Sequence, residues 1–324
     1  MQIRKLVIGV LMVTLLISFF SMGPGVAAEK PVIAYVPKGT AASYWKVVHA
    51  GTKVGAGPDY EVIMIGPPHE TRVEGQIDIV QDMIRKKVAG ILLIATDTEA
   101  LIGSTKDALA EGIPLITLDS GVNSDDPLTY IATDNVKASS LAAYKLAELM
   151  GYQGKALFVN FFAGSATAAQ RAEGFLKTIA EFPDIELIGP KYSGQSVEGA
   201  MNVVADVLQA HPDLGGIFGA EEKTAVGCAR QVELEGLDIP VVGFDANETE
   251  QDFLKKGVMD SLIVQQPWVM GFQAAKTLVG IIEGRIDPKE LPEYQETPVV
   301  VATQQNMNLP AVRKALLQNL GIVE

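Results

Sequence analysis

The sequence predicts an α/β protein built as two doubly wound parallel-sheet lobes. Three observations predict it. From Val32 onward, short β-branched runs alternate with helical stretches. Such alternation makes βαβ units, whose parallel sheets are covered by helices on both faces. A strand–helix–strand segment also occurs twice. Val88-Ala89-Gly90-Ile91-Leu92-Leu93-Ile94 leads through a helix to Ile113-Pro114-Leu115-Ile116-Thr117-Leu118-Asp119. Leu214-Gly215-Gly216-Ile217-Phe218-Gly219 leads in the same way to Ile239-Pro240-Val241-Val242-Gly243-Phe244-Asp245. Finally, the strands fall into two sets of about five, which suit two small sheets better than one large one.

The elements follow in order. The first set of strands covers residues 32–36, 61–65, 90–94, 114–118 and 130–132. Between them, Ile77, Val80, Ile84 and Val88 recur three and four residues apart, the spacing of an amphipathic helix. A helix over 135–150 joins this set to the second, at 155–160, 186–188, 216–219, 241–244 and 262–264. Residues 267–324 add a helix over 269–283, a proline-containing loop and a strand over 297–302. That segment is too short to be a domain, so it packs back on the lobes and the chain crosses between them more than once. No long Gly/Ser linker occurs, so short extended crossovers would do any hinging.

The N-terminal segment stands apart. Arg4 and Lys5 precede an apolar run over 6–20, and Val26-Ala27-Ala28 supplies small residues. These are the parts of a cleavable signal peptide, and the run is shorter than the roughly 20 residues of a membrane span. The expected organisation is a signal peptide at 1–28, an N-terminal lobe at 29–132 plus 266–295, and a C-terminal lobe at 133–265 plus 296–324.

Charge and composition narrow the function. The formal charge is −13, and loss of Arg4 and Lys5 with the leader takes it to −15. That acidity excludes the basic footprint of a nucleic-acid binder. The single cysteine, Cys228, cannot form an intramolecular disulfide and reads as a buried small hydrophobe. None follows the leader directly, so export without a lipid anchor, to a periplasm, is expected. His49, His69 and His211 lack the spacing of a metal pair and read as surface residues. The chain has neither a Gly-Lys-Ser/Thr phosphate loop nor a Gly-x-Ser-x-Gly nucleophile elbow. Material for catalysis is scarce, no cofactor or metal is implied, and binding is favoured over chemistry.

Candidate binding residues sit where parallel strands end, the place where ligands meet such sheets. Asp119 and Asp245 hold matched places in the two repeats; solvated loop acids or helix caps are the plainer alternative. Tyr44 and Trp45 open a helix beside the first strand, behind Ser43 as N-cap, and suit stacking on a sugar face or, equally, a core position. Asp134-Asn135 could cap the next helix, and Gln265 ends the strand over 262–264.

At these residues the chain resembles the ribose-type branch of the type I periplasmic substrate-binding proteins. The segments that carry the likeness are Gln76 to Ile84, Val88 to Ile94 with Thr96-Asp97, Ile113 to Asp119, Thr133-Asp134-Asn135, Arg171 to Phe175, Val241 to Asp245 and Val264 to Pro267. The resemblance implies two lobes joined by a three-strand hinge and closing over a monosaccharide. It also implies delivery to an inner-membrane ABC permease driven by a separate ATPase, by a protein that is a monomer and not an enzyme. It puts stacking on Tyr44 and Trp45, hydroxyl binding on Asp119 and Asp245, and polar contacts on Asn135, Arg171 and Gln265. Five positions depart from the family pattern: Lys38, Ala42, Ser120, Gln195 and Glu221. With Lys38, Gln195 and Glu221 counted among the ligand-binding residues, these changes favour a sugar, polyol or furanose-like signal other than ribose. Presentation of such a ligand to a chemoreceptor or sensor kinase is the alternative to transport.

Overall fold

A computed structural model describes residues 29–322 apart from Thr71 and Gly164. The expected signal peptide at 1–28 lies outside the described residues. Two six-stranded sheets organise the rest. The first holds β1 (Val32–Val36), β2 (Glu61–Met64), β3 (Gly90–Leu93), β4 (Leu115–Leu118), β5 (Tyr130–Thr133) and β11 (Tyr294–Thr297), in the order β11-β5-β4-β3-β1-β2. All of its pairings are parallel. The second holds β6 (Gly154–Asn160), β7 (Ile185–Tyr192), β8 (Leu214–Gly219), β9 (Val241–Phe244), β10 (Ser261–Val264) and β12 (Val300–Thr303), in the order β12-β10-β9-β8-β6-β7. Only its edge strand β12 runs antiparallel, against β10.

Both sheets are apolar on both faces, as covered parallel sheets require. On β1, Ile33 and Tyr35 face helices α1 (Ser43–Ala56) and α9 (Pro267–Ile282), while Ala34 and Val36 face α2 (Val73–Arg85) and the Leu101–Ala108 region around α3 (Ile102–Ala110). In the second sheet, Ala156 and Phe158 pack on α4 (Asn135–Leu149) and α5 (Ala166–Ile179). Leu157 and Val159 pack against α6 (Val197–Ala210), α7 (Glu222–Glu235), α8 (Glu248–Lys256) and α10 (Pro310–Asn319). Cys228 is fully buried in this last layer.

The chain passes between sheets three times, from β5 to α4, from β10 to α9 and from β11 to β12. The two crossover helices dock by the same device. A Cβ added at Gly271 of α9 would lie 2.1 Å from the Val48 carbonyl oxygen of α1. Facing α4, a Cβ at Gly174 of α5 would lie 2.0 Å from the Val136 carbonyl oxygen. Glycine therefore lets each helix pair approach to backbone contact.

Four local expectations need correction. The single strand expected over 297–302 is two strands, one in each sheet, because Pro298 has no N–H to continue the first ladder. The lobe boundary expected between residues 295 and 296 therefore falls inside β11. Ser43 is the first helical residue of α1 rather than its cap; Ala42 holds that position without a side-chain bond. Among the histidines, His69 is exposed, but His49 is half-buried, stacked 5.7 Å from Tyr35 with Nε2 at 3.1 Å from the Val62 carbonyl.

Candidate ligand-binding site

Asp119 and Asp245 each stand one residue past an apolar strand, and the equivalence extends to the backbone. Both lie in the left-handed region, with φ of 59° and 86°. Both still donate their amide to the neighbouring strand: Asp119 to the Ile131 carbonyl at 3.0 Å, Asp245 to the Ile263 carbonyl at 2.9 Å. Aspartate is one of the few residues that enter this region, and strain held by a ladder bond is a device for aiming a side chain. Each residue is 6% exposed, and both point into one cavity between the sheets.

The cavity has a volume of about 80 Å³. That is far below the roughly 300–1,000 Å³ of sites for drug-sized molecules, so it suits one small compact ligand. Lys38, Tyr44, Trp45, Glu70 and Asp119 contribute from the first sheet's strand ends and loops. Phe161, Thr167, Arg171, Gln195, Glu221, Glu222, Lys223, Asp245 and Gln265 contribute from the second side. Of the residues expected from sequence, Asn135 is the one absent from this wall.

On the first side, the Tyr44 hydroxyl donates to Asp119 Oδ1 at 3.0 Å and the Ser120 hydroxyl to Oδ2 at 3.3 Å. The Tyr130 hydroxyl donates to the Asp119 carbonyl at 2.7 Å, which fixes the strained turn. Lys38 Nζ lies 3.9 Å from Asp119 Oδ2. The Trp45 ring is buried in the α1/α9 core and also lines the cavity. Its Nε1 donates to Glu70 Oε1 at 3.0 Å, and it packs edge-on against Tyr44 with centroids 4.9 Å apart.

On the second side, Gln265 Nε2 donates to Asp245 Oδ1 at 2.6 Å and the Glu222 amide to Oδ2 at 3.1 Å. Arg171 donates through Nε to Asn135 Oδ1 at 2.8 Å and through Nη1 to the Ala220 carbonyl at 2.7 Å. Its guanidinium carbon sits 3.7 Å over the Phe244 ring. Asn135 therefore acts from behind, holding Arg171, and its Nδ2 donates to the Thr133 carbonyl at the β5–α4 crossover. Glu221 caps α7: Oε1 accepts from the Thr224 amide and hydroxyl, and Oε2 from the Lys223 amide.

Charge is unevenly spread. Burial and the nearby Asp245 push the Glu222 carboxyl up to about 7. Burial also raises Asp245, partly offset by Arg171, and raises Glu221. Behind them, burial holds the fully enclosed Glu250 well above the usual carboxylate range.

Glu70, Phe161, Thr167, Glu222 and Lys223 escaped the sequence reading. Phe161 follows β6 directly, so the strand-end rule that found Asp119 would have found it too. Glu222 and Lys223 open α7 just past β8. Glu70 sits in the loop between β2 and α2, where no periodicity marks it.

Residues 33–286 match the family model described as periplasmic binding protein domain. The chain belongs to the periplasmic binding protein family. This periplasmic binding protein has the two-lobed type I fold and resembles the family's ribose-like branch. The ribose import binding protein of Escherichia coli is 29% identical to it over 206 residues, 63% of this chain and 69% of that one. The D-ribose/D-allose-binding protein of Pseudomonas aeruginosa is 26% identical over 293 residues, 85% of this chain and 89% of that one. Among solved structures, an ABC transporter solute-binding protein of Agrobacterium vitis with bound D-fucose is 31% identical with a TM-score of 0.81. The match covers 87% of this chain and 98% of that one. Such relatives are binding proteins, and this periplasmic binding protein is not an enzyme.

Proposed function

We propose that the protein binds a monosaccharide or sugar-like polyol in the cavity between the sheets and delivers it to an inner-membrane ABC permease with a separate ATPase. The observation that carries this is the pair of left-handed aspartates, one from each repeat, aimed into one small polar cavity beside Tyr44, Trp45 and Phe161. Carboxylates accept bonds from hydroxyls, and aromatic faces cover the C–H face of a ring. The names of the relatives, which include ribose, allose and fucose binders, point the same way. Lys38, Tyr44, Trp45, Asp119, Arg171, Gln195, Glu221, Asp245 and Gln265 make the contacts. Asn135 positions Arg171. Export by cleavage of residues 1–28 and a monomeric periplasmic life complete the proposal.

The working cycle is a hinged trap. Open lobes admit the sugar, and contacts supplied from both sides stabilise the closed form. Micromolar affinity is about −8 kcal/mol. A few charge-assisted hydrogen bonds, at roughly 1.5–3 kcal/mol each, supply it after ordering costs.

A thermal-shift screen against pentoses, hexoses and polyols tests the proposal. A sugar at 100 times its dissociation constant adds about 2.7 kcal/mol, a shift of several degrees. No shift with any carbohydrate overturns it. Within this frame, Asn135→Ala removes the acceptor for Arg171 Nε without touching the cavity wall. Calorimetric titration of the best sugar should show binding weakened about tenfold, the scale of one lost charged hydrogen bond.

A further inference from the structure

The small cavity borders a second space. Ala42, Glu70, Gln195, Glu222 and Lys223 line it and also line a groove of about 550 Å³ beside it. Ala42 offers only a methyl group at this border, and the other four are long, half-buried side chains rather than core. The groove by itself falls in the roughly 300–1,000 Å³ range of sites for whole small molecules. Neither aspartate lines it.

Backbone bonds hold both walls of the groove. On the first side, the Thr40 amide donates to the Pro67 carbonyl at 3.1 Å, which ties the loop after β1 to the loop after β2. Gly39 lets those loops meet: a Cβ there would lie 3.1 Å from Glu70 Cγ. On the second side, Gly194 and Gln195 are consecutive left-handed residues, with φ of 64° and 60°. Glutamine seldom enters that region, and here its amide is anchored to the Phe161 carbonyl at 3.2 Å. Strain kept by such a bond aims Gln195 at the border between the two spaces.

The lining chemistry selects the occupant. His69, Glu70, Gln195, Glu222 and Lys223 supply donors and acceptors, while Pro68 and Ala41 add small apolar surface. Among the described residues, no Phe, Tyr or Trp lines the groove, so it lacks the flat apolar wall that an aryl group would need. One lysine beside two carboxyl side chains does not suit a phosphate or a carboxylate. A ring bearing several neutral hydroxyls uses every group present. We propose that the protein also binds disaccharides: one ring seated at the two aspartates, the glycosidic oxygen passing Ala42 and Gln195, and the second ring in the groove against His69 and Lys223. This rests on the sugar-binding proposal above and extends its substrate class beyond a single ring.

The test starts from whichever monosaccharide gives the largest thermal shift. Its complete set of mono-O-methyl derivatives, both methyl glycosides included, is titrated by calorimetry. Disaccharides joined through the oxygen that tolerates methyl come next. One position should accept the methyl group with affinity within about threefold of the parent, while the others weaken about 100-fold, because a methyl there breaks hydrogen bonds to charged groups. A disaccharide joined at the tolerant position should bind at least as tightly as the parent sugar. Ala41 and His69 are exposed and border the groove without lining the cavity. Ala41→Trp, which fills the groove, should weaken the disaccharide about tenfold or more, and His69→Ala about fivefold, with the parent sugar unchanged in both. If no position tolerates methyl, if no such disaccharide binds, or if the variants treat disaccharide and parent alike, the second-ring site is overturned and monosaccharide binding stands. Binding of no sugar at all overturns both proposals.

Discussion

Asp245→Asn is expected to weaken sugar binding by about 100-fold or more and to leave the fold as stable as the parent. The substitution keeps shape and backbone, because asparagine also tolerates the left-handed φ of 86° that alanine would resist. Local bonding can be restored. The asparagine oxygen can accept from the Glu222 amide, and Gln265 can turn its own oxygen toward the new amide. What is lost is the charge and the remaining acceptor capacity toward the ligand. Two bonds to a charged group, at roughly 1.5–3 kcal/mol each, account for at least a 100-fold change. Stability does not fall with affinity, because burial penalises the Asp245 charge and holds its carboxyl above the ordinary value.

Asp119→Asn should separate from it. Removing that charge strips the buried Lys38 of its one anionic partner among the described residues, so melting temperature should drop along with affinity. Calorimetry and thermal melts on both variants decide the matter. Unchanged affinity in Asp245→Asn would mean that the ligand sits elsewhere.

The two aspartates also show how far the sequence could be read. Their strands are short apolar runs at matched offsets from a helix, and parallel sheets put ligands at such strand ends. The fold and the matched strand-end positions of the two aspartates were therefore legible in the sequence. Their shared left-handed backbone was not, since aspartate is compatible with several conformations. β11 and β12 look like one apolar stretch, and only pairing with different sheets separates them. The family resemblance puts Asn135 among the polar contacts, while in the structure its amide oxygen accepts from Arg171 behind the cavity wall. That is a fact of side-chain reach, which spacing does not encode. Glu70 enters the wall from a loop whose course no periodicity fixes.

The remaining large effect is on the pH dependence of the sugar-free protein, which should become less stable as pH rises from about 4.5 to 7.5. Glu222 carries the argument. Its carboxyl is raised from 4.5 to about 7 by burial and by Asp245. A raised acid holds its proton more tightly in the folded state, so its contribution is fully present below 4.5 and is lost as pH climbs through about 7. The shift corresponds to about 3 kcal/mol, or several degrees of melting temperature for a chain of this size. Asp245 and Glu221, also raised by burial, act in the same direction. The exposed Asp82 and Asp213, lowered by Lys86 and Lys155, act oppositely only as pH falls through the range below 3.8, whereas His49, lowered by burial, acts oppositely within the window, so the Glu222 contribution is read as the difference between wild type and Glu222→Gln. The decline should therefore stand clear of ordinary acid unfolding. Differential scanning calorimetry across this range measures it, and Glu222→Gln, which cannot ionise, should flatten the curve. A wild-type profile that Glu222→Gln leaves unchanged would show that the carboxyl is solvated and ionised in the folded protein, and would remove Glu222 from the buried wall of the cavity.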